Sequence, residues 1–402
     1  MNYNKVLANC GWYYPRHALD KNGVSGGHSN LYKILRDEGV SKFRERIDEY
    51  IVKARARRQT LLISSEGLSQ HPNDLYESLS GLNVRVVSFF RHPVEAFFSA
   101  YNQMIKRHFF TRKIDDYAER AINNVQPVLS GRHLFEWKER FDEAFAVLPY
   151  SSNAKTTASV VRMFFDYLGI PKEHFPSGAL DEQVNSGYCL PALKLKRLTN
   201  LVLTNEDTRL NNKLDLFFQA ASDTKQYDSA GADTMISEDT YKRLVEKFEK
   251  DVIAIESGFS ITVPLNTEHC NKSVSSLKII AEMIEIMQTF VQQEKSTYQR
   301  IRKRILVGDW YSDDPDHRQL CELFDCHFLL QVREKDFFFP DKILQKMCRY
   351  DKVDFLRETA KVLLARADYE HAYLLISEAK RIRGNGPVIK RLYEQIKKLN
   401  SD

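Results

Sequence analysis

Arg91 and Ser99 stand eight residues apart in VRVVSFFRHPVEAFFSAYNQ, residues 84 to 103. The apolar run Val84–Phe90 predicts a buried strand, and Pro93 predicts the first turn of a helix. Arg91 then ends a strand at the carboxyl edge, where α/β sheets receive ligands. Ser99 lies two turns into the helix, on roughly the side that Arg91 approaches. A guanidinium fork and a neutral hydroxyl beside the free N–H groups of a helix start favour a phosphate. The same spacing also arises by chance wherever an arginine follows a strand and a serine sits in the next helix.

The elements that must hold this pair are legible around it. Thr60–Ser64, Val84–Phe90 and Ala144–Leu148 are short apolar runs that predict strands. Leu31–Arg58 is amphipathic and ends on the basic run KARARR, as a helix C-terminus prefers. Pro93–Arg107 reads as a helix, and Thr156–Leu168 as another that stops at Gly169. This alternation predicts an α/β layer with a largely parallel sheet. Pro191–Ala221 and Ser237–Ile255 read as helices, separated by a polar loop at 222–234. A boundary is expected near Pro264–Lys272, dividing a domain at 1–268 from a helical extension at 269–402. Val274–Leu306 reads as one long helix with apolar residues at 277, 280, 284, 287 and 291. Gly308–His317 reads as a loop.

The order of these parts resembles the sulfotransferases that use 3′-phosphoadenosine 5′-phosphosulfate. In that family an arginine ending a strand and a serine eight residues later hold the nucleotide 3′-phosphate; here they are Arg91 and Ser99. FFRHPVEAFFSAYNQMIKRH is similar to the bacterial carbohydrate-sulfotransferase branch, with Tyr101, Asn102 and Lys106 at matching places. LLISSEGL resembles that branch's strand ending in Ser-Ser-Glu. FEWKERFDEAFAVLPY and VVRMFFDYLGI resemble its later strand and helix, and QVNSGY a shortened Asn-x-Ser loop. The resemblance covers roughly residues 10–260. It implies a P-loop-like parallel sheet flanked by helices, with 3′-phosphoadenosine 5′-phosphosulfate as co-substrate and a hydroxyl, expected on a glycan, as acceptor.

Transfer to a hydroxyl needs a base for its proton. Glu66, after the TLLISS run, is one candidate; the alternative is a carboxylate that caps or salt-bridges the following turn. His28, in GGHSN, is a second candidate or else a plain surface histidine. His92 is expected to pack or to cap the helix. Tyr101 and Lys106 are candidate acceptor contacts, with the core as the other place for Tyr101. The basic stretch Arg300–Arg304 reads as a solvated helix face, with contact to an anionic glycan as the sharper reading. Asp309–Asp316 lacks the glycine and terminal glutamate of a calcium loop, so no metal is expected.

The family's second phosphate site, a strand opening into a Lys-Ser/Thr-Gly-Thr-Thr-like loop, has no match before Arg91. YYPRHALDKNGVSGGHSN, with no strand expected before it, resembles the segment that follows that loop's helix. Met1–Ala8 is then expected to be the helix's tail, from a misplaced start, a truncated gene or a divergent member that only binds. A missing central strand would leave unpaired sheet edges, and a missing lysine would weaken leaving-group stabilisation. Two function classes therefore stand side by side: a glycan sulfotransferase, and a non-catalytic nucleotide-binding or scaffold protein. A kinase-like phosphoryl transferase is disfavoured, because no Gly-x-x-x-x-Gly-Lys-Ser/Thr occurs.

The whole chain fits these readings. It has 402 residues, 43% hydrophobic and 28% charged, with a net charge of +5 that suits an anionic ligand without demanding nucleic acid. No apolar run is long enough to span a membrane, and the N-terminus lacks the order of a signal peptide. Six scattered cysteines read as reduced thiols in a cytoplasm. In the tail, ARADYEHAYLLISEAKRIRGNGP resembles the second half of a tetratricopeptide repeat, with Tyr369, Ala372, Ile376 and Ala379 at the packing positions. One copy predicts a helical hairpin that docks a partner or a second chain.

Overall fold

Gly11, at positive φ, turns helix α1 (Asn4–Asn9) into strand β1 (Trp12–Tyr13). In the computed structural model of the chain, the described residues are 4–17, 27–124, 126–150, 157–174, 187–224, 232–265, 276–331, 351–365, 368–384 and 386–400. The segment 183–186 of the Asn-x-Ser loop, most of the 222–234 loop and most of the 264–272 boundary lie outside them.

Helices α2 (Ser29–Glu38) and α3 (Val40–Ala56) follow, broken at Gly39, whose φ of 86° ends the first. Strand β2 (Thr60–Leu61) then pairs in parallel with β1, Trp12 opposite Thr60. After α4 (Pro72–Ser78), strand β3 (Val86–Arg91) leads into α5 (Pro93–Arg107). Helices α6 (Ile114–Asn123), α7 (Pro127–Ser130) and α8 (His133–Phe141) precede β4 (Phe145–Tyr150). β3 and β4 pair in parallel over six residues, setting Arg91 opposite Tyr150.

The expected strands are present, and the three strand pairs among the described residues are parallel. They do not form one P-loop-like sheet: the described strands stand as three separate two-stranded sheets in a mostly helical chain. One cause is local. Beyond β2, the Ser64 carbonyl accepts the His28 backbone N–H at 2.6 Å, and Gly27 bridges Ser65. That edge is joined to the chain around residue 27 rather than to β3. β1 itself corrects the expectation that no strand precedes residue 13; two residues give no periodicity to read.

The remaining helices are α9 (Thr157–Tyr167), α10 (Leu190–Asn200), α11 (Thr208–Asp223), α12 (Glu238–Phe259), α13 (Ser276–Gln293), α14 (Lys295–Ile305) and α15 (Pro315–Leu323). A third parallel pair joins β5 (Trp310–Tyr311) to β6 (Leu330–Gln331), where a plain loop is expected. One core gathers Leu31, Phe43, Phe90, Trp137 and Val147 around the β3–β4 pair. A smaller cluster around Leu7, Phe165 and Ile170 packs Trp12, Tyr14 and Leu62 from the β1–β2 side. Phe164 of α9 packs on that cluster and stands 6.1 Å from the Phe89 ring of β3. The largest core lies among α5, α10, α11, α13 and α14.

The chain divides into units Met1–Gln331 and Val332–Asp402, later than the division expected at 268. Residues 276–331 belong to the first unit because α13 buries Met283, Ile286 and Phe290 in its core. Arg197 and Asp316 join α10 to α15 through two contacts of 2.6 Å. Arg304 of α14 pairs with Asp207 and reaches the Val202 carbonyl. Arg300–Arg304 is thus not wholly a solvated face.

The second unit holds α16 (Lys352–Ala365), α17 (Tyr369–Ile382) and α18 (Pro387–Asn400). Ala372, Ile376 and Ala379 are fully buried at the spacing the sequence predicts, while Tyr369 is half-buried. Asp368 caps α17. Among the described residues no helix is long and apolar enough to cross a membrane.

Candidate functional site

Arg91 is the last residue of β3, and Pro93 opens α5, as the spacing predicts. The guanidinium is held on two sides. Its Nε lies 3.4 Å from Oε2 of Glu95, a buried carboxylate one turn into α5. Its central carbon, Cζ, lies over the ring of Tyr150, the cross-strand partner on β4, 5.1 Å from the ring centre. The terminal nitrogens have no protein partner among the described residues, and the side chain is part-exposed. Ser99 is half-buried on α5, and its hydroxyl has no hydrogen-bond partner among the described residues. Two donors of the expected kinds are therefore unused, one already oriented.

The helix start offers less than expected. Pro93 has no N–H, and the Val94 N–H is taken by Nδ1 of His92, which caps α5 at 3.3 Å. Burial holds His92 below the usual histidine range, against the pull of Glu95 and Glu256. The side chains, more than the helix terminus, would therefore carry an anion here.

Glu66 opens a short 3-10 turn, Glu66–Gln70, and is exposed. Its carboxylate makes no hydrogen bond or ion pair to a described residue, so the capping reading is not realised. His28 is neither a surface residue nor an exposed base. It is fully buried, with Nε2 2.9 Å from the Pro15 carbonyl and Nδ1 3.2 Å from the Ser64 N–H. These two contacts fit a neutral ring that donates from Nε2 and accepts at Nδ1, with the tautomer assigned from them. Tyr14 and His17 close around it, edge-on at 4.7 and 5.1 Å between ring centres. His28 is a strut between the chain after β1 and the chain after β2.

Burial, the dominant influence, lowers the His28 pKa, although the contacts to the Pro15 and Ser64 backbone raise it. Its contribution to stability is whole above the unfolded value near 6.5 and declines as pH falls through the lower folded value. Urea midpoints should therefore drop between neutral pH and pH 5, and drop less steeply in His28→Asn. An equal slope in the two proteins would sink this account.

Tyr101 and Lys106 do not line a cleft. Tyr101 is fully buried, and its hydroxyl donates to the Arg112 carbonyl at 3.0 Å. Tyr101, eight residues beyond Pro93 along α5, and Lys106, thirteen beyond it, both lie among the buried residues of the helix. Lys106 donates to Gln219 Oε1 at 2.5 Å, stands 3.9 Å from Asp215 and lies over the Tyr188 ring. Burial lowers its pKa, partly opposed by Asp215. Both residues secure α5 against α11 and the chain around it. Asn102 receives the Tyr188 N–H and plays a similar part.

Sequence reasoning misses Glu95 and Tyr150. Glu95 could have been found, since it stands four residues from Arg91, the spacing of a helical ion pair. Tyr150 comes to Arg91 only through the β3–β4 register. Among the described residues no cluster of three or more His, Cys, Asp or Glu side chains is placed to hold a metal. No protein-family model, curated protein or solved structure matches this chain.

Proposed function

We propose that this chain binds the 3′-phosphate of 3′-phosphoadenosine 5′-phosphosulfate at Arg91 and Ser99, as a sulfotransferase-like protein acting on a glycan hydroxyl. The observation that carries this reading is the anchored arginine: Nε on Glu95, the guanidinium over Tyr150, the terminal nitrogens without a partner among the described residues. An arginine held only for stability gains from engaging its whole fork. One held on a single edge is prepared for a second anion. In the transfer, the acceptor oxygen bonds to sulfur as the bond from sulfur to the bridging oxygen breaks. 3′-Phosphoadenosine 5′-phosphate leaves, and the acceptor proton passes to a base. Glu66, exposed and without a described partner, is our candidate for it.

A nucleotide-binding module without transfer is the second reading. The division of the parallel strands into separate pairs favours it, since a phosphosulfate cradle is a strand, loop and helix seated within one sheet.

Calorimetric titration with 3′-phosphoadenosine 5′-phosphate tests the shared part of both readings. Arg91→Ala should abolish saturable binding. Glu95→Ala, which releases Nε, should weaken it about tenfold, a loss in the range of one charged hydrogen bond. Glu95→Gln keeps an acceptor and should bind within about threefold of the parent. If Glu95 acted only as a repelling charge, both variants would bind tighter. No binding by the folded parent chain would remove the nucleotide reading altogether.

A further inference from the structure

Helix α15 ends on a Schellman cap with both of its reverse bonds made. The Cys326 N–H reaches back to the Cys321 carbonyl at 2.7 Å, and the Asp325 N–H to the Glu322 carbonyl at 3.3 Å. Asp325 takes the left-handed turn that such a cap needs, with a φ of 53°. Helix α14 holds the cap closed. Its Arg302 donates from Nε to the Phe324 carbonyl at 3.1 Å, and its Tyr298 stacks on the Phe324 ring, 5.2 Å between centres. The Cys326 carbonyl receives the Leu329 N–H at 2.9 Å, in the 3-10 turn that leads to β6.

This cap brings together the two ends of a six-residue loop, and in this chain both ends are cysteines. The motif favours an apolar contact between the side chains at those two positions. Any two small apolar residues would satisfy it, and a buried thiol serves as one. Cysteines add a reactivity that alanine or valine lacks. The 2.7 Å backbone bond keeps the two Cα atoms within about 6.6 Å of each other, inside the roughly 7 Å limit for a disulfide. Both side chains are fully buried in the same core, and both are thiols. Burial pushes the Cys321 thiol up to about 12, and the neighbouring Cys326 adds to the rise.

We propose that Cys321 and Cys326 are an oxidisable pair, a modification site that a hydroperoxide closes into a disulfide across the α15 cap. In the first step one thiolate sulfur bonds to a peroxide oxygen, the O–O bond breaks, and the other oxygen leaves as water, giving a sulfenic acid. In the second the partner sulfur bonds to the oxidised one, the S–O bond breaks and a second water leaves. The pair gives up two electrons, and the peroxide is reduced to two waters. Both thiols lie out of reach of solvent, so the first step waits for the cap to open. The second needs only that the cap close again. Bridging is therefore slow, and once made it latches the end of α15, the helix that carries Asp316 to Arg197. It is independent of the nucleotide reading.

Hydrogen peroxide treatment of the folded full chain tests it, read by mass spectrometry after alkylation in denaturant and digestion with trypsin. Residues 319–333 form one tryptic peptide that carries both cysteines and no other. That peptide should lose two hydrogens, take up no alkylating agent, and regain both thiols with dithiothreitol. Arg302→Ala loosens the cap and should speed the loss about tenfold, the shift in opening expected from one charged hydrogen bond. An unchanged rate would overturn the opening step. The urea-unfolded chain, treated alike, is the control for the oxidant. If the unfolded chain reacts while both cysteines of the folded chain stay alkylatable, the proposal fails. It fails equally if the folded chain gives a sulfinic acid at Cys321 or Cys326, or a bridge from this peptide to another, since the two sulfurs then do not meet. A bridged chain whose circular dichroism spectrum has changed would show that the native cap does not accept the bond.

Discussion

Asp316→Asn should unfold the first unit at a much lower urea midpoint than the parent, with a loss on the order of 3–5 kcal/mol. The side chain is small and the substitution nearly isosteric, so packing does not account for the effect. Its origin is Arg197, buried in α10, whose two terminal nitrogens meet the two carboxylate oxygens at 2.6 Å. A third contact runs from Arg197 to the Thr111 carbonyl at 2.9 Å. Removing the charge leaves a desolvated cation with one neutral amide in place of a bidentate partner. Burial raises the Asp316 pKa, but the hydrogen bonds and charge of Arg197 outweigh it and hold the carboxyl below its usual range. Its contribution is whole above the unfolded value near 3.9 and is lost as pH falls through the folded value. The variant should therefore lose part of the acid sensitivity as well as the stability. A midpoint within error of the parent's would show that Arg197 is solvated. The same pair determines where the chain can be cut: a fragment ending at residue 268 lacks Asp316 and should not fold, whereas one ending at Gln331 keeps it.

Gly27→Ala should cost about 2–4 kcal/mol, an unusual loss for one methyl group. Gly27 has a φ of 64°, and a Cβ there would overlap the carbonyl oxygen of Ser64. That oxygen accepts the His28 N–H, and the Ser64 N–H is received by His28 Nδ1. Moving one strand away from the other breaks both contacts and exposes the His28 strut. Gly81→Ala separates clash from strain, since Gly81 has a φ of 77° and no atom within 4 Å of a built Cβ. It should lose only about 1–2 kcal/mol. Equal thermal midpoints for the two variants would mean that the Ser64 contact contributes nothing.

Some of this was legible in the sequence and some could not be. α5 runs from Pro93 to Arg107 as its proline and period predict, and Ser237 caps α12 at the expected place. Local signals sufficed for these. The break between α2 and α3 was signalled by Gly39, although the amphipathic period runs across it. The break between α13 and α14 carries no such residue: Glu294 ends one helix at a φ of −120° and receives the Thr297 hydroxyl at 2.8 Å. β1, β2, β5 and β6 are two residues each, shorter than any period. The side of α13 that is buried could not be read either, because two sectors of the helix are apolar and the helices packed against one of them, Phe217 of α11 and Tyr298 of α14 beside Phe290, decide between them. At the candidate site, Arg91 ends β3 and Ser99 lies on α5, as the local pattern predicts, and Glu66 opens the 3-10 turn after β2. Tyr101 and Lys106 went into the core, because a motif's order does not tell which face of α5 meets solvent. His28 was misread because its partners are 13 and 36 residues away.

The pairing of Arg91 with Tyr150 would make the proposed anion binding depend on how two strands are aligned. The two residues are the last rung of the β3–β4 ladder, and the ring supports the guanidinium from across it. Side chains alternate along a strand, so a slip of one residue would turn Tyr150 to the opposite face and bring Pro149 beside Arg91. Alignment is fixed toward the other end of the ladder, by the turn at Asp142, which holds a φ of 43°, and by Phe145 and Val147 in the core. A change at that turn would therefore silence the proposed binding in a chain that is otherwise folded and stable, with Arg91 and Ser99 still in place.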